Sequence, residues 1–207
     1  MRETKTILRT DPKGTWRWLM TKKEDATQVA YEKGQDYEAR ATDCCQCTIA
    51  AVQDAIGCRN NDVLRAGSAL AGGLAFTGQG TCGALVGAAM VVGQLYGRTR
   101  EELDDDAKKE IGEVNWVNVA KGWDLTYELF EWFRGEYGSI ICSDIKKKLF
   151  GENNEDYIRP DSPVRQVLSK KARGYERGIC PGVVALAAQW ATEIILRRGV
   201  PEGCAKR

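Results

Sequence analysis

Residues 78–93, GQGTCGALVGAAMVVG, place one cysteine, Cys82, between glycines at the start of an apolar segment. Thr81 is a favourable N-cap residue and no helix breaker follows within the stretch, which therefore predicts a buried helix. Gly83 and Gly87 are four positions apart and share one face of that helix. A face without side chains lets another body approach closely, and that body is either a neighbouring helix or a bound cofactor.

The uncharged region around this stretch extends from Ala66 to Gly97. Glycine recurs throughout the region, and its longest purely apolar run covers only residues 82–92. A helix that spans a bilayer needs about 20 apolar residues, so no membrane span is predicted. The region predicts a buried helical hairpin instead.

Helical patterns also occupy most of the remaining chain, and no segment shows sustained period-two alternation. The fold class is therefore predicted to be all-α. We expect a compact single-domain bundle of about six to eight helices over residues 24–207, after an irregular N-terminal arm over residues 1–23. Residues 100–113 predict a solvated surface segment. The further predicted helices cover residues 24–40, 44–56, 60–75, 115–137, 143–150, 162–173 and 180–198.

The helix predicted over residues 115–137 carries aromatic residues on one face. Trp116, Trp123, Tyr127 and Phe130 follow one another at steps of seven, four and three. We expect this face to pack in the core, with the wall of a substrate pocket as the alternative. Together with the N-terminal arm, it is also consistent with a homodimer.

Composition excludes several classes of function. Lys plus Arg number 30 and Asp plus Glu number 29, so the net charge of +1 favours neither nucleic acid nor an anionic membrane as partner. Histidine is absent, which excludes Ser-His and Cys-His catalytic pairs and histidine-ligated zinc or haem. The N-terminal residues show no apolar signal-peptide core, so a cytoplasmic location is expected.

Eight cysteines are the main chemical feature of the chain. Four of them fall at or just before predicted helix N-termini: Cys44, Cys82, Cys142 and Cys180. The positive end of a helix lowers the pKa of a nearby thiol, and the thiolate is the form that binds metal or attacks a disulfide. If the four helix starts converge, they form a cavity suited to an anionic cluster.

The spacing of these four cysteines does not by itself identify a metal site. They are widely separated in the sequence and match neither zinc ribbons nor ferredoxin loops, which use local C-x-x-C pairs. Cys47 forms such a pair with Cys44 and is either a second ligand or a small buried residue. Cys45, Cys58 and Cys204 are interpreted as core or incidental thiols.

The blocks around these cysteines resemble the redox-active four-cysteine family of the C_GCAxxG_C_C type. The central block TGQGTCGALVGAAMVVGQLYG is a close match, with Cys82, Gly83, Ala84 and Gly87 in the positions of the family motif. The blocks CCQCTIAAVQDAIG, FRGEYGSIICSDIKKKLFG and CPGVVALAAQWATEIIL are similar to the other three, so that Cys44, Cys142 and Cys180 take the remaining cysteine positions.

This resemblance covers about residues 25–198 and implies a small, mainly helical redox protein, often from anaerobes. A related domain occurs in split-Soret cytochromes, where it is associated with an iron–sulfur centre. The resemblance therefore implies a [4Fe–4S] or [2Fe–2S] cluster on the four cysteines, with Gly83 and Gly87 beside it. The chain lacks the C-x-x-C-H motif for attached haem.

Three functions follow from these observations. The first is an iron–sulfur protein that relays electrons to or from a partner oxidoreductase, a carrier rather than an enzyme, although a redox catalytic role stays open. The second is a metal-free thiol–disulfide protein or sensor, and the third is a structural zinc protein with four cysteine ligands.

Overall fold

The computed structural model describes the backbone of residues 15–150, 180–202 and 204, and the side chains of residues 25–149, 180–202 and 204. The predicted helix over residues 162–173 lies outside these ranges. Helices and no strands form the described part of the chain, which confirms the all-α prediction. The helices are α1 (Thr15–Ala41), α2 (Cys44–Ile56), α3 (Asn61–Ala66), α4 (Gly83–Tyr96), α5 (Arg100–Ala107), α6 (Trp116–Val119), α7 (Trp123–Tyr137), α8 (Cys142–Phe150) and α9 (Cys180–Arg198).

The core forms between α1, α2, α4 and α9, with α7 packed over α4 and α9. Its fully buried side chains are mostly small or β-branched, so the helix axes approach closely. At Gly34 in α1, an added Cβ would lie 3.1 Å from the Cα of Ala185 in α9. Hydrophobic burial along these seams fixes the ends of the helices relative to one another.

The segment between α3 and α4 differs from the predicted helical hairpin. After α3 comes one 3₁₀ turn, Gly67–Ala69, and then five consecutive residues with positive φ, residues 72–76. Gly72 and Gly73 begin this left-handed turn, and Phe76 ends it with φ 60°. The left-handed conformation costs about 1–2 kcal/mol at each non-glycine residue of this turn, so tertiary contacts must stabilise it. Among the described residues, no helix has the length and apolar character needed to cross a membrane.

The predicted helix over residues 115–137 is interrupted at Gly122, where φ is +77°. The aromatic face expected in the core is largely exposed: Trp116 is 65 % and Trp123 57 % exposed. Leu129 and Phe133 pack inward in its place, because α4 and α9 lie against that side of α7. The prediction that the face with Trp116 and Trp123 packs in the core is therefore wrong, since the face with Leu129 and Phe133 does so.

Residues 100–113 are mostly exposed, as predicted, and residues 100–107 form a helix, α5, that was not predicted. Thr99 and Glu102 form a capping box, in which each side chain bonds the other residue's backbone N–H. The local signal for this helix was therefore present in the sequence. The start of α1 at Thr15 likewise lies inside the segment expected to be an irregular arm.

Cys58 and Cys204 form a disulfide, with their Cα atoms 5.1 Å apart. The interpretation of both as core or incidental thiols is therefore wrong. The bond joins the loop after α2 to the segment after α9, across 146 residues of sequence. Such a separation leaves no local pattern that would predict the pairing.

Asp54, near the end of α2, binds side chains of α1, and we predict that this contact stabilises the fold. It accepts hydrogen bonds from Lys33 (2.5 Å), Tyr37 (2.6 Å) and Arg59 (2.6 Å). Burial alone would raise the pKa of Asp54, but these three bonds outweigh it and lower the pKa from 3.8 to about 2. Because the pKa of Asp54 is lower in the folded than in the unfolded chain, its ionised carboxylate stabilises the fold above about pH 4. This stabilisation is lost as the pH falls from about 4 to about 2 and the carboxylate is protonated.

We expect Asp54→Asn to lower the free energy of unfolding by about 1–2 kcal/mol at pH 7, after discounting for the partly exposed Lys33 and Arg59. Urea unfolding at pH 7 and at pH 2.5 measures the change. Asp36→Asn is the control, because that carboxylate pairs with an arginine in solvent and its loss should cost less than about 0.5 kcal/mol. Equal losses of stability in the two variants would contradict the stabilising role of Asp54.

Candidate functional site

The four cysteines at predicted helix starts come together in one cavity. Cys44, Cys142 and Cys180 are the first residues of α2, α8 and α9, and Cys82 is the N-cap of α4. Four helix N-termini therefore meet around their sulfurs. The residues lining the cavity are Glu38, Cys44, Gly72, Phe76, Cys82, Cys142, Ile145, Lys146, Leu149, Cys180 and Val183.

A short antiparallel bridge places Cys82 beside Cys142. The backbone N–H of Cys82 donates to the carbonyl of Ile140 (2.8 Å), and that of Cys142 donates to the carbonyl of Gly80 (3.0 Å). The two chain segments that lead into α4 and α8 are thus hydrogen-bonded to each other. Two cysteines that are distant in sequence enter the cavity from this one bridge.

Glycines allow the backbone to lie directly against the sulfurs. A Cβ added at Gly83 would lie 2.5 Å from Cys44 Sγ, and one at Gly73 would lie 2.9 Å from Cys142 Cβ. The backbone N–H of Gly72, in the left-handed turn, donates to Cys44 Sγ over 3.4 Å. The turn and the start of α4 therefore enclose the cavity, and larger residues would fill it.

Gly87 and Cys47 lie outside the cavity. A Cβ at Gly87 would lie 2.5 Å from the carbonyl oxygen of Cys45, so this glycine allows the close contact of α4 with α2. Cys47 is buried, and its thiol is hydrogen-bonded to the carboxyl group of Glu38. This position favours Cys44 over Cys47 as the member of the site.

The pKa values of the four thiols differ from the expectation. Burial raises the pKa of Cys82 to about 12 and that of Cys180 to about 11, and it also raises the pKa values of Cys44 and Cys142. The backbone N–H groups of Ala84 and Leu85 at the start of α4 lower the pKa of Cys82, but burial outweighs them. The predicted lowering by helix N-termini is therefore wrong, and these thiols are neutral unless a cation stabilises their thiolates.

Two charged residues of the cavity were missed by the sequence analysis. Glu38 is 7 % exposed, and burial raises its pKa to about 7, opposed by bonds from Cys47 and from the backbone N–H of Asp43. Lys146 lies near enough to lower the pKa of both Cys142 and Cys180. The position of Lys146 could have been predicted, because residues four apart in a helix, such as Cys142 and Lys146, lie on the same face. The position of Glu38 could not, because the sequence around it is typical of a polar surface helix.

The four thiols have the chemistry of soft-metal and iron–sulfur ligands. Within residues 25–149, 180–202 and 204, no three His, Cys, Asp or Glu residues lie close enough to hold one metal ion. Four thiolates around one zinc ion have sulfurs about 3.8 Å apart, since each Zn–S bond is about 2.3 Å. An iron–sulfur cluster distributes its cysteines over several irons and needs no such convergence on one point.

A small helical protein in which four dispersed cysteines meet at helix N-termini is the class that this fold and site define. The chain belongs to the family described as "Putative redox-active protein (C_GCAxxG_C_C)", which it matches over residues 42–194. The family resemblance inferred from the four blocks is thereby confirmed, and redox activity is the property that the family description carries. The expected relation to split-Soret cytochromes stays a prediction. No curated protein and no solved structure matches the chain significantly.

Proposed function

We propose that the protein binds an iron–sulfur cluster through Cys44, Cys82, Cys142 and Cys180 and relays single electrons to a partner oxidoreductase in the cytoplasm. The observation that carries this proposal is that these cysteines, each at the start of a different helix, line one cavity. A bound cluster would supply the one-electron chemistry. The chain's own residues would hold the cluster, set its potential and exclude water.

Apart from the carboxyl group of Glu38, the polar groups of the cavity suit an anionic cofactor. The N–H of Gly72 points to Cys44 Sγ, and the N-termini of four helices face the cavity. Lys146 adds a positive side chain at its edge. Hydrogen bonds to ligand sulfurs and nearby positive charge both favour the reduced, more negative state of a cluster and so raise its potential.

The apolar groups of the cavity limit access of solvent. Phe76, Ile145 and Val183 line it beside the sulfurs. Low solvent exposure is one of the factors that set cluster potentials. The same shielding protects bound iron from exchange with water.

The two alternatives receive less support. A metal-free thiol–disulfide function needs a reactive thiolate, and burial raises the pKa values of all four thiols. A bound metal removes this difficulty because coordination deprotonates a thiol outright. A structural zinc site would need the convergence on one point that the described residues lack.

Anaerobic purification followed by reconstitution with iron and sulfide tests the proposal. We expect two or four iron atoms per chain with matching sulfide, a brown colour, and an electron-paramagnetic-resonance signal after one-electron reduction or oxidation. Circular dichroism before and after reconstitution shows whether the helices are intact. A folded chain that stays colourless and free of iron would overturn the proposal, and zinc in stoichiometric amount would support the structural alternative.

A further inference from the structure

The disulfide between Cys58 and Cys204 is a feature that the four-cysteine cavity does not explain. It lies beyond the C-terminal end of α2, whereas Cys44 begins that helix. Since α2 has 13 residues, the two positions are separated by about 20 Å. The disulfide is therefore a distinct pair of sulfurs, outside the cavity.

The two sulfurs of this disulfide have unequal surroundings. Cys58 is 3 % exposed, whereas Cys204 is half-buried and lies in the short segment after α9. An incoming thiolate must approach along the axis of the S–S bond, and access decides which sulfur it reaches. Cys204 is the more exposed residue of the pair, so attack at its sulfur with Cys58 as the leaving group is the expected course.

Gln94 is positioned to stabilise that leaving group. Its side-chain amide Nε2 donates to Cys58 Sγ (3.3 Å) and to the carbonyl of Cys58 (3.1 Å). The amide oxygen of Gln94 accepts from Gln53 Nε2 (2.7 Å), and Gln53 also donates to the carbonyl of Asn60. The hydrogen bond from Gln53 orients the amide of Gln94 so that its Nε2 points to Cys58 Sγ. A hydrogen bond to the leaving thiolate stabilises it and speeds its departure.

We propose that Cys58 and Cys204 form a second redox site, a thiol–disulfide pair that exchanges two electrons with an external dithiol. A thiolate of the dithiol attacks Cys204 Sγ, forming a mixed disulfide and breaking the Cys58–Cys204 bond. The bonding electron pair leaves on Cys58 Sγ, which Gln94 stabilises until the sulfur takes a proton from water. The second thiol of the reductant then attacks the mixed disulfide, so the reductant leaves as a disulfide and Cys204 as a thiol.

Reduction has a structural consequence that follows from the same contacts. Among the described residues, the segment after α9 is also held by Tyr96, whose hydroxyl donates to the carbonyl of Gly199 (2.8 Å), and by Val200, which packs against the core. Opening the disulfide removes the covalent tie between this segment and the loop after α2. The redox state of the pair therefore sets how firmly the end of the chain is attached.

Trapping of the mixed disulfide tests the site directly. The full-length Cys58→Ser variant, with Cys204 first activated as an aromatic mixed disulfide, is incubated with reduced thioredoxin lacking its resolving cysteine. The matched Cys204→Ser variant, activated at Cys58, is treated identically. We expect a covalent complex at Cys204 to form at least tenfold faster than one at Cys58. Equal rates, or faster capture at Cys58, would overturn the assignment.

Reduction of the unmodified protein gives an independent test. Incubation with reduced thioredoxin and, in a separate arm, with reduced glutathione is followed by alkylation and mass spectrometry of the Cys58 and Cys204 peptides. We expect reduction while circular dichroism stays unchanged, and the faster arm tells whether a protein dithiol or a small thiol is the better reductant. Reduction that occurs only in step with unfolding, in both arms, would overturn the proposal.

The contribution of Gln94 has its own readout. We expect Gln94→Leu to slow reduction about fivefold, the effect of losing one hydrogen bond to the leaving sulfur. It should also raise the pKa of Cys58 in the reduced protein, measured from the pH dependence of alkylation. An unchanged pH dependence would show that Gln94 has only a structural role and would remove it from the proposed step.

Discussion

Replacement of Cys82 by serine is expected to remove at least nine-tenths of the bound iron while leaving the helices intact. Cys82 is 6 % exposed, and it enters the cavity from the bridge between the segments before α4 and α8. Its backbone N–H bonds to Ile140 whatever the side chain is, so serine preserves the local structure. A serine hydroxyl keeps its proton far more strongly than a thiol, and it is a poor ligand for iron in a thiolate cluster.

Cys45→Ala is the matched control for this prediction. Cys45 is completely buried one position after Cys44, and its thiol contacts Met90 Sδ outside the cavity. We expect this substitution to cost about 1–2 kcal/mol of stability and no iron, because it removes one sulfur from the core. Iron and sulfide analysis of the two reconstituted variants, with circular dichroism of each, makes the comparison. Iron loss in both variants, or in neither, would contradict the role given to Cys82.

The second large effect is expected at Gly87, where replacement by alanine should destabilise the fold by about 2 kcal/mol through overpacking. A Cβ at this position would lie 2.5 Å from the carbonyl oxygen of Cys45 and 3.1 Å from Thr48 Cβ. The first of these atoms belongs to the backbone of α2 and cannot rotate away. The two helices must therefore separate, and a forced shift of this kind typically costs about 1–3 kcal/mol.

Gly93→Ala in the same helix is the control, because this substitution should raise the free energy of unfolding rather than lower it. Gly93 is exposed, and an added Cβ would meet nothing within 4 Å. The substitution should stabilise the fold by about 0.5–1 kcal/mol, since alanine loses less conformational freedom in a helix than glycine. Urea unfolding of both variants measures the difference of roughly 3 kcal/mol, obtained from these two contributions. Stability changes of the same sign and size would refute the helix-contact role of Gly87.

The features that the sequence predicted well are those with local causes. The bounds of α2 at Cys44–Ile56 and of α9 at Cys180–Arg198 match the predicted ranges, because they follow from side chains within one helical turn of each end. The prediction that four cysteines begin helices has the same local origin. Their meeting in one cavity was a conditional inference, because it depends on how α2, α4, α8 and α9 pack.

The features that were missed depend on distant parts of the chain. Residues 72–75 belong to a predicted helix because alanine and leucine favour it, yet they form a left-handed turn whose glycines contact Cys44 and Cys142. Glu38 packs against Asp43 and Cys47 at the start of α2, a contact that no pattern in α1 indicates. The thiol pKa values were predicted in the wrong direction because helix ends are visible in sequence and the depth of burial is not.

The distribution of the four cavity cysteines along the chain bears on when a cofactor can enter. Cys44 belongs to the first quarter of the polypeptide, and Cys180 begins the last helix. A nascent chain still attached to the ribosome short of α9 carries at most three of the four thiols in place. A cofactor held by all four thiols can therefore be completed only after Cys180 has been synthesised, and a product of synthesis interrupted before α9 carries an incomplete set of ligands.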